Sequence, residues 1–255
     1  MASPTYVALD KAWKSTCRVL FGEEVGGLAP FAEWLREYDY VTRSESSSVS
    51  GKPITFAMDD YSPSAHFVSL DETDFQKKFE PIGINDLKDI DRLVRAASER
   101  FSYTGNVVLG NSSCVEGSTG VLDSHFVLDS AMVNKSKHVA FSRWETGVEY
   151  CFGGIGTTLG SFMVKSSGSS LARCFECDSC ENCSDAYFLH NCENARDSMF
   201  CFNAKNLSHA VGNAELPPGQ YKGIKTALVL QMADELEKKH DLRWDIFTIG
   251  AKARR

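Results

Sequence analysis

The sequence predicts a mainly β fold: a β-solenoid with an N-terminal α/β cap and a C-terminal helical cap. Three observations predict it. Read from Gly117 in sixes, the chain gives GSTGVL, DSHFVL, DSAMVN, KSKHVA and FSRWET. Ser118, Ser124, Ser130, Ser136 and Ser142 thereby alternate, three residues apart, with Val121, Val127, Val133 and Val139. Further on the repeat runs in twelves, CENCSDAYFLHN (180–191) aligning with CENARDSMFCFN (192–203). Both halves keep one three-residue beat of small or apolar residues, which suits neither the twofold alternation of a flat strand nor the period of a helix. A chain that turns a corner every few residues and points one side chain per short segment at a narrow axis does suit it, and a fixed period over about a hundred residues marks stacked coils.

The phase can be followed from end to end. It extends backwards through Val115, Ser112 and Leu109, is broken at Glu145, and resumes at Val148 and Cys151. A slip of one residue is expected between Cys151 and Leu159. Two columns follow: Leu159, Leu171, Cys183, Ala195 and Leu207, and Phe162, Cys174, Ala186, Ser198 and Ala210. Asn and Asp recur where segments meet, and these residues tolerate left-handed turns. The beat over residues 106–213 resembles that of the small solenoids with twelve-residue coils, such as the insect antifreeze proteins. The resemblance implies architecture alone. The paired outward threonines that ice binding needs are missing, Thr157 and Thr158 being isolated, and the hexads do not match the left-handed helices of sugar and acyl transferases.

The caps frame this region, dividing the chain into an α/β unit (1–101), the solenoid (102–215) and a C-terminal helix with tail (216–255). A first helix is expected after Pro4, with Leu9, Trp13, Cys17 and Leu20 on one face, and a second from Pro30, with Phe31, Trp34, Leu35 and Tyr38 inward. TRSESSSVSGKP reads as a polar, mobile loop, PITFAM and HFVSL as short strands. A helix capped by Asn85 follows, carrying Leu87, Ile90, Val94, Ala97 and Phe101 inward. After the LPPGQ turn, Tyr221, Ile224, Leu228, Met232 and Leu236 form a helical stripe packed on the protein's own body. RWDIFTI reads as a last strand and KARR as a solvated tail.

Chemistry is harder to find. Cys174, Cys177, Cys180 and Cys183 have the CxxCxxCxxC spacing of a zinc or iron–sulfur site. They also continue the column that holds Ala186, Leu189, Cys192, Ala195 and Cys201, where a free cysteine acts as a small hydrophobe. The column is preferred, with no cofactor expected and a metal or cluster kept as the alternative. GGIGTTLG (153–160) lacks the strand–turn–helix setting of a dinucleotide loop and reads as a glycine bulge. His125, His138, His190 and His209 fall in outward, solvated phase. His138 with Glu145 and Asp123 is a conceivable acid–base trio that no spacing demands, and no catalytic motif is present.

A net charge of −7 argues against general nucleic-acid binding. No apolar run spans a membrane and no signal peptide is seen. Nine cysteines in a cytoplasmic protein are expected as free thiols or metal ligands rather than bridges. The leading expectation is a non-enzymatic scaffold that offers a rigid solenoid wall to a protein partner or to another copy of itself. The alternatives are a cysteine-rich metal or iron–sulfur protein in redox or cluster assembly, and an enzyme with its site between the N-terminal unit and the solenoid wall.

Overall fold

Coil after coil, the backbone pairs with the residue twelve positions on: Val115 with Val127, Val127 with Val139, Val139 with Cys151, Cys151 with Met163. The result is a β-solenoid of about eight turns. The computed structural model describes residues 2–38, 42–58, 60–158, 160–166, 168–169, 173–178 and 180–250, and the side chains of residues 85, 86, 158, 168, 169 and 180 lie outside that description. The chain order begins with helix α1 (Pro4–Phe21), α2 (Ala32–Leu35), strands β1 (Arg43–Ser46), β2 (Pro53–Phe56) and β3 (Phe67–Ser69), helix α3 (Ile90–Ala97) and β4 (Tyr103–Gly105). The coils then start with β5 (Val108–Leu109), β6 (Ser113–Glu116), β7 (Thr119–Leu122) and β8 (His125–Leu128), and α4 (Pro218–Lys239) follows the last of them.

The inward beat of the first half is as expected. Val121, Val127, Val133 and Val139 are fully buried, and the serines between them are buried too. Each buried serine repays its desolvation through the backbone. Ser124 donates its hydroxyl to the carbonyl of Leu122 at 2.8 Å and accepts the amide of Ser136, twelve residues on, at 3.0 Å; Ser130 does the same with Leu128 and Ser142. The residue before each inward position takes a left-handed backbone, as at Asp123, Phe126, Asp129, Met132 and Lys135. This is how the chain turns a corner every third residue. Non-glycine residues here pay roughly 1–2 kcal/mol each, which the ladder of coils must offset.

Two phases differ from expectation. Val108, not Leu109, pairs with Val121, a step of thirteen. The one-residue slip lies a coil later than expected: Phe152 pairs with Val164 at twelve, but Val164 pairs with Phe175 at eleven. Phe162 therefore points outward and stacks on Tyr150 at 5.4 Å, while Met163 fills the interior. Leu159 and Leu171 lie outside the described residues. A single-residue deletion leaves no mark in the sequence when both flanking residues are apolar, and so the sequence alone places the slip one coil early.

Both caps are present, and both also lie along one flank of the solenoid. Ser3 caps α1 by accepting the amide of Tyr6, and Gly22 ends it in a left-handed turn. Ser3 touches Glu116 in the first coil and Leu20 accepts a hydrogen bond from Tyr187, so α1 runs lengthwise over six coil steps. The lengths match: 18 residues at ~1.5 Å make ~27 Å, and six steps of ~4.8 Å make ~29 Å. Because a coil rises about as far as a helical turn, Trp13 meets Phe152 and Phe21 meets Phe175, both edge-on. Tyr221, Val229, Ala233 and Leu236 of α4 complete the same apolar layer. Each fully buried side chain of this size contributes roughly 2 kcal/mol relative to exposure.

Four local expectations are corrected. TRSES is no loop: β1 pairs antiparallel with β2, and only the turn beyond it, tied by the Ser47 hydroxyl to Glu72, is irregular. Asn85 does not cap α3; Ile84–Leu87 is a 3-10 turn and Asp89 caps by accepting the amide of Arg92. The row Ile90, Val94 and Phe101 faces out instead of in, and only Ala97 of α3 is buried. RWDIFTI forms a turn, since the Asp245 carboxylate captures the amides of Phe247 and Thr248 before a strand can form. The KARR residues lie outside the described residues. Among those described, no helix is long and apolar enough to cross a membrane.

Candidate functional site

The first coil meets the N-terminal unit at Asn106. Its side chain accepts the amide of Thr55 at 2.9 Å and donates to the carbonyl of Pro53 at 3.0 Å, while the next amide, Val107, donates to Thr119 of β7. This clamp leaves a cleft of about 730 Å³ between the two bodies. Lys52, Thr55 and Ser69–Asp71 line it on the N-terminal side, and Val108, Val115 and Ser118 on the solenoid side. Lys52 pairs with Asp71 at 2.6 Å on the rim. The floor is the open end of the solenoid interior: Val115 is half-buried and Val108 is 36% exposed, where their equivalents one coil on are fully covered.

From the rim of this cleft rises the excursion of residues 74–101, which joins β3 to β4. Ile84 is 83% exposed, Phe75 75% and Ile90 74%, with Leu87, Val94 and Phe101 near half. Isolated exposed apolar residues are ordinary, but here six of them fall on one segment.

A second cluster lies where the coil slips. Lys165 and Glu176 hold the same corner position on successive coils, and both are fully buried. The Lys165 amine reaches Glu37 at 2.5 Å and Glu176 at 3.4 Å, and sits 4.4 Å above the ring of Trp34 and 4.8 Å from that of Tyr38. Burial drives the Glu176 carboxyl up to about 8 although the Lys165 charge opposes it, and burial also raises the Tyr38 hydroxyl. The Lys165 amine is thus enclosed by two carboxyls and two aromatic faces. A small cavity of about 120 Å³ adjoins it, near the Asp178–His190 pair at 2.6 Å. Sequence reasoning missed this cluster, because outward corner positions are normally solvated and nothing in the repeat says which are roofed by α2.

Glu145, seen as a break in the valine column, stays in that column. It is fully buried beside Cys151 and Thr157, and among the described residues neither carboxyl oxygen has a hydrogen-bond partner. Burial raises it to about 8, with Thr157 and Cys151 pulling back only in part. The glycine stretch is explained here without a bulge: the coil continues, and a side chain at Gly154 would strike Cys151 at 2.4 Å and Glu145 at 2.9 Å. Gly153 has φ +74° and a Cβ there would meet the Leu35 carbonyl at 2.5 Å, so it admits α2. The conceivable trio does not form. Glu145 faces the interior, while His138 is sandwiched outside between Phe126 and Tyr150 at 5.2 and 5.1 Å, half-buried.

Of the four spaced cysteines, Cys174, Cys177 and Cys183 are buried in the interior column, and the Cys180 side chain lies outside the description. The Cys177 thiol approaches the carbonyl of Ala186 at 3.9 Å, and Cys183 that of Glu181 at 4.0 Å. Cys174→Ala is expected to cost on the order of 1 kcal/mol, the price of one sulfur in a narrow column. Thermal melts of the variant, and of the wild type with and without strong chelator, check this; a chelator-induced collapse would mean a metal site. Comparison with family models, curated proteins and solved structures finds no match for the chain.

Proposed function

We propose that the protein is a non-enzymatic scaffold that binds a protein partner, with the solenoid as rigid carrier and residues 74–101 as the docking surface. The observation that carries this is the exposed apolar row on that excursion. One flank of the solenoid is covered by α1 and α4, and the apolar segment stands beside the solenoid at one end. Between residues 74 and 100 there are six basic and six acidic residues, which gives no net charge to hold the segment on an anionic membrane or on nucleic acid. Neither a cofactor nor a metal enters this reading.

Ile90→Asp and Val94→Asp test it. Both sites are exposed, so the melting temperature is expected to shift by no more than ~0.5 kcal/mol equivalent. A defined partner recovered by affinity purification, or self-association seen by sedimentation, is expected to be lost in the double variant. Unchanged association would overturn the assignment. The rival reading is an enzyme working in the cleft between the N-terminal unit and the solenoid; a stoichiometric small metabolite in native mass spectra would favour it.

A further inference from the structure

The two ends of the solenoid are finished differently. At the far end, Ala214–Glu215 folds back antiparallel on Ser208–Val211 and closes the sheet with the chain's own strand. At the near end β6 is the terminal strand of its sheet, and among the described residues it pairs only with β8. A terminal strand presents a row of unpaired backbone donors and acceptors, a template for one more strand. Here that edge borders the 730 Å³ cleft, whose floor is the uncovered end of two interior columns, at Val108 and Val115.

We propose that the cleft receives an extended polypeptide segment of the partner, which pairs in parallel with β6 as the next coil would. The geometry also sets the sequence such a segment needs. The interior columns take mostly small or medium-sized residues, and the one over Val115 continues through Val127 and Val139 to Cys151. The segment must therefore place a valine-sized apolar residue over Val115 and a small residue three positions on, over Ser118. Charged residues are excluded at both places, because the column has no partner for them. This rests on the scaffold reading and names the chemistry of its partner.

The probe is a labelled synthetic peptide, SHFVLDS, which copies residues 124–130, the stretch that already pairs with β6 on its other edge through Val127. Saturable binding to the full chain is expected, weakened at least about tenfold when the peptide valine is replaced by aspartate. The protein variant Val115→Asp is expected to lose binding to the same degree, with its circular dichroism unchanged. If that variant does not fold, the paired peptides decide alone. Absence of saturation, or equal affinity for both peptides, overturns the proposal. So does a dimer that Val115→Asp breaks and the peptide cannot, since the edge is then occupied by a second copy. Failure here with partner capture still dependent on Ile90 and Val94 overturns this inference and leaves the scaffold reading standing.

Discussion

Glu145→Gln is expected to stabilise the protein by several kcal/mol at pH 8 and to leave it little changed at pH 4.5. The carboxyl is fully buried in an apolar column, with no ion-pair partner among the described residues, and burial raises it to about 8 from an ordinary 4.5. The folded state then holds a proton that the unfolded state releases. Its contribution is complete below about pH 4.5, is lost steadily as pH rises toward 8, and is flat beyond. Glutamine is neutral throughout and removes that loss. Chemical denaturation across this range is the measurement. Glu176 titrates in the same direction and window, so the single variant flattens the profile only in part, and a Glu145→Gln, Glu176→Gln double variant flattens it further. A variant whose profile parallels the wild type would mean that the Glu145 carboxyl is ionised and solvated.

Val127→Asp is expected to cost several kcal/mol and to leave little folded protein at 37 °C. Val127 lies between Val115 and Val139 in the interior, and the buried hydroxyls of Ser124 and Ser130 on either side of it are already bound to backbone carbonyls. Lys137→Glu, two residues from the equivalent position on the next coil but outward and exposed, is expected to matter by about half a kcal/mol. Thermal melts of the pair check the phase of the repeat, and equal tolerance would refute it. Glu145 shows how the chain meets the same problem natively: a carboxyl enters the column where Gly154 makes room for it, and it keeps its proton.

How much of this was legible depended on what repeats. The inward serines and valines of residues 118–139 could be placed one by one, because each column repeats its own chemistry every coil. Glu145 was visible as an exception for the same reason. The eleven-residue coil between Val164 and Phe175 was assigned one coil early, since Phe162 and Met163 are equally apolar and only packing decides which turns inward. The candidate site was mostly hidden. The exposed face of α3 has the same spacing as a buried one, so the pattern at Ile90 and Val94 announces an apolar stripe without saying what covers it. Lys165 and Glu176 come together only because α2 settles over their corner, a tertiary event that no local spacing records.

That corner carries one residue per coil: Asp129, Phe141, Gly153, Lys165, Glu176, Phe188 and Phe200. The neighbours change along it: Arg36 at Asp129 and over Phe141, Leu35 at Gly153, Trp34 and Glu37 at Lys165. The row works as a vernier between two lattices, one of coils and one of helical turns. Duplicating or deleting a whole coil, the easiest change in a repeat, would leave the ladder hydrogen-bonded yet set glycine where a lysine is caged and a charge where an aromatic ring is packed. The length of this solenoid is therefore fixed by the helices lying on it, and growth by repeat addition is open only outside their span, at the end where β6 stands free.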